Sequence, residues 1–130
     1  MKLNPDCVRD ILMRIEEITD ATTGFEYPDD CDDLLKKYSD NELRYHICQC
    51  DMSGFFTSCK EDMTGTIEII DLHPKGHELI AKIRDNNNWG KVKKGLSVVR
   101  DYSLSALSAI AEGVTSAAIS SYFSSETGLK

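Results

Sequence analysis

The sequence predicts an α+β fold, with one small domain and additional helices at its C-terminus, from three observations. The chain has 130 residues, about the length of one domain, and its 41% hydrophobic and 28% charged residues are ordinary globular usage. Apolar residues recur at helical spacing in several segments. Two β-prone runs flank a polar loop near the middle of the chain, which is the pattern of a hairpin.

The first element is predicted to be a helix that begins after Asn4 and ends near Thr19. Asn4 is a good N-cap because its side chain can accept a backbone N–H of the first turn, and Pro5 suits the first helical position. Apolar side chains then recur every three or four residues from Val8 onwards, which indicates one buried face. For residues 20–38 the pattern favours neither helix nor strand.

The central helix is predicted to lie between Ser39 and Gly54. Ser39 is followed three residues later by Glu42, which together form a capping box. Leu43 and Ile47 lie on one apolar stripe, and Gly54 is a natural C-terminal stop.

A β-hairpin is predicted next, from residues 55–59 and 64–72 around a polar tip at residues 60–62. The order of helix, short extended piece, helix ending in glycine, hairpin and helix is the outline of a winged-helix domain. In that outline the central helix takes the recognition position and the hairpin forms the wing. We therefore assign residues 1–85 to a winged-helix domain.

Three more helices are predicted after the hairpin. The first begins near Pro74, the second spans residues 89–99 after a break at residues 85–88, and the last is capped by Ser103. We assign residues 86–130 to a C-terminal helical extension that packs on the winged-helix domain or on a partner chain.

Four short motifs occur in order between Met1 and about Lys94. They are Met1-Lys2-x-x-x-Asp6-x-Val8-Arg9-Asp10-Ile11-Leu12, Tyr38-Ser39-x-x-Glu42-Leu43-x-Tyr45-His46-Ile47, Leu72-x-x-x-Gly76-His77-Glu78-Leu79-Ile80 and Arg84-Asp85-x-x-x-Trp89-x-Lys91-x-Lys93. Together these motifs resemble an uncharacterised winged-helix family found in phages and prophages of bacteria and described only as a domain of unknown function. The resemblance implies a winged-helix fold and a phage or prophage setting, and it implies no established activity.

The charge of the chain argues against simple electrostatic capture of nucleic acid or of an anionic membrane. The net charge is −7, with 7 basic and 17 acidic residues in positions 1–73 and 8 basic and 5 acidic residues in positions 74–130. The central helix is itself acidic, so we expect a solvated helix face and treat DNA binding as the less favoured alternative. The candidate contacts to DNA or to a partner are Asn41, Arg44, Gln49, Lys60, Lys91, Lys93 and Lys94.

The last helix is a candidate for self-association because it is rich in small residues, which allow a neighbouring helix to approach closely. A homodimer is one interpretation, and packing within the chain is the other. The candidate self-association residues are Ala106, Ala109, Ile110, Gly113 and Ala117.

The sequence predicts no metal site, catalytic residues or cofactor, and a protein that is not an enzyme. Cys48 and Cys50 lie two residues apart, so on a helix their side chains point about 200° apart and cannot both ligate one ion. No nucleophile-elbow, zinc-protease or phosphate-loop motif occurs in the sequence.

A cytoplasmic location and no membrane segment are predicted as well. The N-terminus has no apolar run behind its lysine, and the stretch from Leu104 to Phe123 is interrupted by polar residues too often to span a membrane. The five cysteines, an odd number with no CxxC pair, fit a reducing compartment.

These observations favour a small non-enzymatic regulatory or interaction protein of prophage type that acts through protein–protein contacts with an unknown partner. The alternative is a sequence-specific DNA-binding transcriptional regulator. A third hypothesis, suggested by the acidic residues between Glu26 and Asp33, is an inhibitor of a host enzyme.

Overall fold

The structure of the protein, a computed structural model, describes residues 1–127 and the side chains of residues 1–123. The predicted α+β class is confirmed: the described residues form six α-helices and one three-stranded antiparallel sheet. The chain divides into two compact units, Met1–Ile80 and a second unit that begins at Ala81.

The first helix, α1 (Pro5–Ile18), begins and ends where the sequence predicts. The Asn4 side chain accepts a hydrogen bond from the Asp6 N–H at 3.0 Å, which satisfies one of the free amides of the first turn. The helix ends at Thr19, whose hydroxyl donates to the Ile15 carbonyl at 2.7 Å. Its buried face consists of Cys7, Val8, Ile11, Leu12 and Ile15.

The segment between the first two long helices contains three short elements. They are the strand β1 (Phe25–Tyr27), a 3-10 turn (Asp29–Cys31) and the helix α2 (Asp32–Leu35). Strand β1 has only three residues, too few for an alternating pattern to stand out in the sequence. It is held by antiparallel pairing with a later strand, so long-range contacts decide its conformation.

The central helix, α3 (Asp40–Met52), has the predicted Ser39 N-cap and ends just before Gly54. In the described part of the chain, the return bond between the Glu42 side chain and the Ser39 N–H that would complete a capping box is not formed. The Ser39 hydroxyl accepts a hydrogen bond from the Glu42 N–H at 3.0 Å. Gly54 follows with a φ of +80°, a left-handed conformation that suits glycine at the end of a helix.

The hairpin consists of β2 (Phe56–Glu61) and β3 (Ile67–Leu72), and β3 is the middle strand of the order β1-β3-β2. The predicted tip at residues 60–62 is wrong, because Lys60 lies within β2 and the turn occupies residues 62–66. Asp62 organises this turn: its side chain accepts the backbone N–H groups of Thr64 and Thr66 at 2.8 and 3.1 Å.

Helix α4 (Pro74–Ile83) begins in close contact with the start of the hairpin. The His73 N–H donates to the Phe55 carbonyl at 2.8 Å. A Cβ atom on Gly76 would lie 2.4 Å from the same carbonyl oxygen, so this position requires glycine.

The second unit contains α5 (Asn86–Val99) and α6 (Leu104–Thr127). The predicted break between two helices is confirmed, but it occupies residues 84–85 and not 85–88. Asp85 caps α5 by accepting the Asn87 N–H at 2.9 Å, and the asparagines form the first helical turn. Helices α5 and α6 approach closely at Gly95, where a Cβ atom would lie 2.9 Å from the Ile110 side chain. Among residues 1–127, no helix is long and apolar enough to cross a membrane.

Candidate interaction surfaces

The predicted contact residues of α3 differ in how far they reach into solvent. Asn41 is exposed, whereas Arg44 and Gln49 are half-buried. The buried side of the helix carries Leu43 and Ile47, as the sequence predicts. Of the three residues, Asn41 is therefore the most accessible to solvent.

Arg44 is held in a network that joins α3, β1 and the hairpin. Its Nε atom pairs with Asp40 at 2.9 Å, and its Nη1 atom donates to Glu61 at 3.0 Å and to the Gly65 carbonyl at 2.7 Å. The guanidinium lies 5.0 Å from the centre of the Tyr27 ring. These contacts use the Nε and Nη1 donors of the guanidinium, which would otherwise be available for base or phosphate recognition.

Asp40 completes this network from the other side. It accepts the Tyr27 hydroxyl at 2.6 Å, and this hydrogen bond, together with Arg44, holds the pKa of the Asp40 carboxyl below its usual range. Sequence reasoning missed the network, although the four-residue spacing of Asp40 and Arg44 on a helix was a signal for their ion pair.

Lys60 points away from α3. Side chains alternate along a strand, so Lys60 lies on the opposite face of β2 from Cys59 and Glu61, which line a groove beside α3. Its cross-strand neighbour is Glu68, which in turn lies opposite Glu26 of β1. Lys60 thus belongs to a row of charges across the other face of the sheet and does not converge with Arg44.

The three lysines of α5 are exposed but do not form one compact patch. Lys91 and Lys94 are three residues apart and share a side of the helix, whereas Lys93 lies on a different side. The buried positions of the same helix are Trp89, Val92 and Leu96.

A groove of about 270 Å³ runs between α3 and β2, and we call it the α3–β2 groove. Its lining combines aliphatic side chains, two thiols and charged groups. The carboxylates of Asp51 and Glu61 and the guanidinium of Arg44 provide the charges. The full lining is Arg44, Ile47, Cys48, Asp51, Cys59, Glu61 and Ile67.

The two cysteines of the groove are the most accessible of the five. Cys48 is exposed and Cys59 is half-buried, whereas Cys7, Cys31 and Cys50 are buried. Burial and the nearby Asp51 carboxylate raise the pKa of the Cys59 thiol to about 11. Within residues 1–127, no three His, Cys, Asp or Glu side chains lie close enough together to hold a metal ion.

His46 is fully buried and connects α3 to the start of α1. Its Nε2 atom accepts the Asn4 N–H at 2.8 Å, and its Nδ1 atom lies 2.7 Å from the Glu42 carbonyl. A neutral ring with its proton on Nδ1 satisfies both partners, and this explains how a polar side chain is accommodated in the core.

Helix α6 divides the predicted self-association residues into two groups. Ala106 and Ile110 are half-buried, and Ile110 packs against α5 at Gly95. Ala109, Gly113 and Ala117 are exposed and follow each other at intervals of four residues. Because these three exposed residues are small, another helix can approach α6 closely on this side.

The last part of α6 whose side chains the structure describes, from Ser116 to Phe123, is exposed on every side. All side chains from Ser116 to Phe123 are exposed, and three of them are large apolar groups. The exposed fractions of Ile119, Tyr122 and Phe123 are 52, 62 and 58%.

Comparison with known proteins identifies relatives of unknown function. Residues 2–100 match the model of a family described as "Hypothetical protein (DUF2513)". An uncharacterised protein of Haemophilus influenzae is 28% identical over 119 residues, which cover 89% of this chain and 97% of that protein. No solved structure matches the chain. The family match ends at residue 100, before α6 begins.

Proposed function

Since the chain belongs to the DUF2513 family of hypothetical proteins, we propose that it is a small, non-enzymatic winged-helix protein of prophage type that acts in the cytoplasm through protein–protein contacts. Self-association through α6 is part of this proposal. The prophage setting rests on the four sequence motifs, and the cytoplasmic and non-enzymatic parts rest on the cysteine content and the motifs of the sequence. The winged-helix fold and the protein–protein contacts rest on the order of the elements and on the exposed surfaces.

The winged-helix assignment is supported by the order and pairing of the elements. A helix, a short strand and two helices precede a hairpin, and the short strand β1 pairs with the second hairpin strand β3. The helix before the hairpin, α3, takes the recognition position of that architecture.

Exposed apolar surface on α6 is the observation that carries the proposed self-association. Ile119, Tyr122 and Phe123 are all more than half exposed. Burial of such side chains stabilises an association by roughly 1.5–3 kcal/mol each when it is complete. Ala109 and Gly113 provide a side on which a second α6 helix can approach closely.

DNA binding is less well supported as a function of α3. Arg44 is the one cation of this helix, and its donors already bind Asp40, Glu61 and the Gly65 carbonyl. Phosphate binding requires cations that are available to replace counterions, and here the cation is compensated by two carboxylates.

Sedimentation velocity of the full chain between about 5 and 300 μM tests self-association. We expect the average mass to rise with concentration, and we expect Ala117→Glu and Tyr122→Glu each to shift the equilibrium towards the monomer. Ser97→Glu is the matched control, because it places the same charge at an exposed position of α5, outside α6. A monomer at every concentration would refute self-association.

A further inference from the structure

We propose that the α3–β2 groove is a docking site for a basic, partly apolar segment of a partner protein. This inference rests on the proposed function, because it assumes that the protein acts through protein contacts, and it specifies the chemistry of the partner. It does not depend on self-association through α6.

The side of α3 that adjoins the groove offers apolar surface outside the core. Ile47 and Ile67 are buried core residues that also line the groove. Next to it, Tyr45, Cys48 and Met52 follow at helical spacing on the solvent side of α3, and Met52 is 67% exposed. Methionine adapts its shape readily, which is why it is common on surfaces that bind peptides.

The charges around the groove favour a cationic partner. Asp40, Asp51 and Glu61 contribute three carboxylates, and Arg44 contributes one guanidinium that is paired with two of them. The third, Asp51, is exposed near the C-terminal end of α3 and lines the groove. Lys60 does not offset this charge, because it lies on the other face of β2.

The volume of the groove indicates an anchor site for a few side chains. About 270 Å³ is slightly below the roughly 300–1,000 Å³ that is typical of small-molecule sites. One or two apolar side chains of a segment can enter such a groove while neighbouring Lys or Arg side chains reach Asp51 and Glu61. Electrostatic complementarity of this kind provides specificity and a fast association rate.

Cys48 reports directly on whether a peptide occupies the groove, because its thiol lines the groove. The structure describes all five cysteines, and Cys48 is the exposed one among them. The probe is the synthetic peptide (Lys-Leu-Lys)4, with (Lys-Ser-Lys)4 and (Glu-Leu-Glu)4 as controls for apolar content and for charge. We measure peptide affinity by fluorescence anisotropy and the alkylation rate of Cys48 by N-ethylmaleimide with mass spectrometry.

We expect (Lys-Leu-Lys)4 to bind and to slow alkylation of Cys48 at least fivefold at saturation, (Lys-Ser-Lys)4 to bind more weakly, and (Glu-Leu-Glu)4 not to bind. Asp51→Asn should weaken binding by up to about fivefold, the effect of one exposed ion pair. Asp32→Asn is the matched control, because it removes the same charge from an exposed position on α2 outside the groove.

Three results would overturn the proposal: no binding of (Lys-Leu-Lys)4, binding that leaves the alkylation rate of Cys48 unchanged, or equal effects of the Asp51 and Asp32 substitutions. The last two would indicate a general attraction to an acidic protein. Repeating the peptide-binding and Cys48 alkylation measurements on Tyr122→Glu separates docking in the groove from self-association, because this substitution alters α6 and not the groove.

Discussion

The close approach of Gly76 to the Phe55 carbonyl predicts that Gly76→Ala destabilises the protein. A new Cβ atom would lie 2.4 Å from the carbonyl oxygen and 3.3 Å from the carbonyl carbon. Ordinary contacts of a Cβ atom begin near 3.4 Å, so the first turn of α4 must move about 1 Å away from Phe55. Because the obstacle is backbone, no side-chain rotation can relieve the overlap.

The expected effect is a loss of about 1–3 kcal/mol in the free energy of unfolding. Overpacking of this kind costs about 1–3 kcal/mol, and the shift also weakens the 2.8 Å hydrogen bond from the His73 N–H to the Phe55 carbonyl, which contributes about 0.5–1.5 kcal/mol. The better helix propensity of alanine offsets about 1 kcal/mol of this loss.

Gly90→Ala is the matched control, because Gly90 also lies in a helix but a Cβ atom there would meet nothing within 4 Å. This substitution should stabilise the protein by about 0.5–1 kcal/mol through helix propensity alone. Urea unfolding followed by circular dichroism at 222 nm measures both variants, and the fluorescence of Trp89 follows the second unit.

At an m value near 2 kcal/mol/M, the midpoint of Gly76→Ala should fall by about 0.5–1.5 M and that of Gly90→Ala should rise by about 0.3–0.5 M. The reasoning is refuted if Gly76→Ala is as stable as the original chain, or if both substitutions shift the midpoint in the same direction.

Three further predictions concern the groove and its surroundings. Arg44→Ala should lower the free energy of unfolding by about 1–3 kcal/mol, because it removes one ion pair within α3 and two polar contacts between α3 and the hairpin, and urea unfolding measures this loss. Among the native thiols, Cys48 should react first with Ellman's reagent at pH 7, well ahead of Cys59, whose pKa is raised to about 11 by burial. The pKa of the Asp40 carboxyl is lower in the folded protein than the ordinary value of about 4, so its ionised form stabilises the fold above about pH 4. This contribution is lost as the pH falls through the lower folded-state pKa. Asp40→Asn should therefore lose less stability in acid than the original chain, which unfolding measurements between about pH 2 and 6 test.

Arg44 illustrates why function is harder to infer from the sequence than fold. In the sequence it is the one Lys or Arg of the helix that we predict to take the recognition position of a winged helix, which makes it a candidate contact to DNA. In the structure its donors bind the Asp40 carboxylate of the same helix and, in the hairpin, the Glu61 carboxylate and the Gly65 carbonyl. Arg44 thus joins two elements through its Nε and Nη1 donors, and only the three-dimensional arrangement shows these contacts.

The parts of the fold that the sequence predicts correctly are those decided by local chemistry. Asn4 and Ser39 cap their helices as predicted, since a cap depends on residues within one turn. The hairpin tip was misplaced because a polar run does not reveal that Lys60 pairs across the sheet with Glu68. The position of strand β1 within residues 20–38 was not predicted, because three residues carry almost no periodic signal.

By itself, the sequence determined the α+β class, the positions of the long helices, their caps and the acidic charge of the first half, because these depend on composition and short-range spacing. Only the tertiary structure decided the pairing of β1 with β3, the glycine requirement at position 76 and the groove between α3 and β2. The reason is physical: each of these features comes from atoms that are distant in the chain and are brought within a few ångströms by burial of the core.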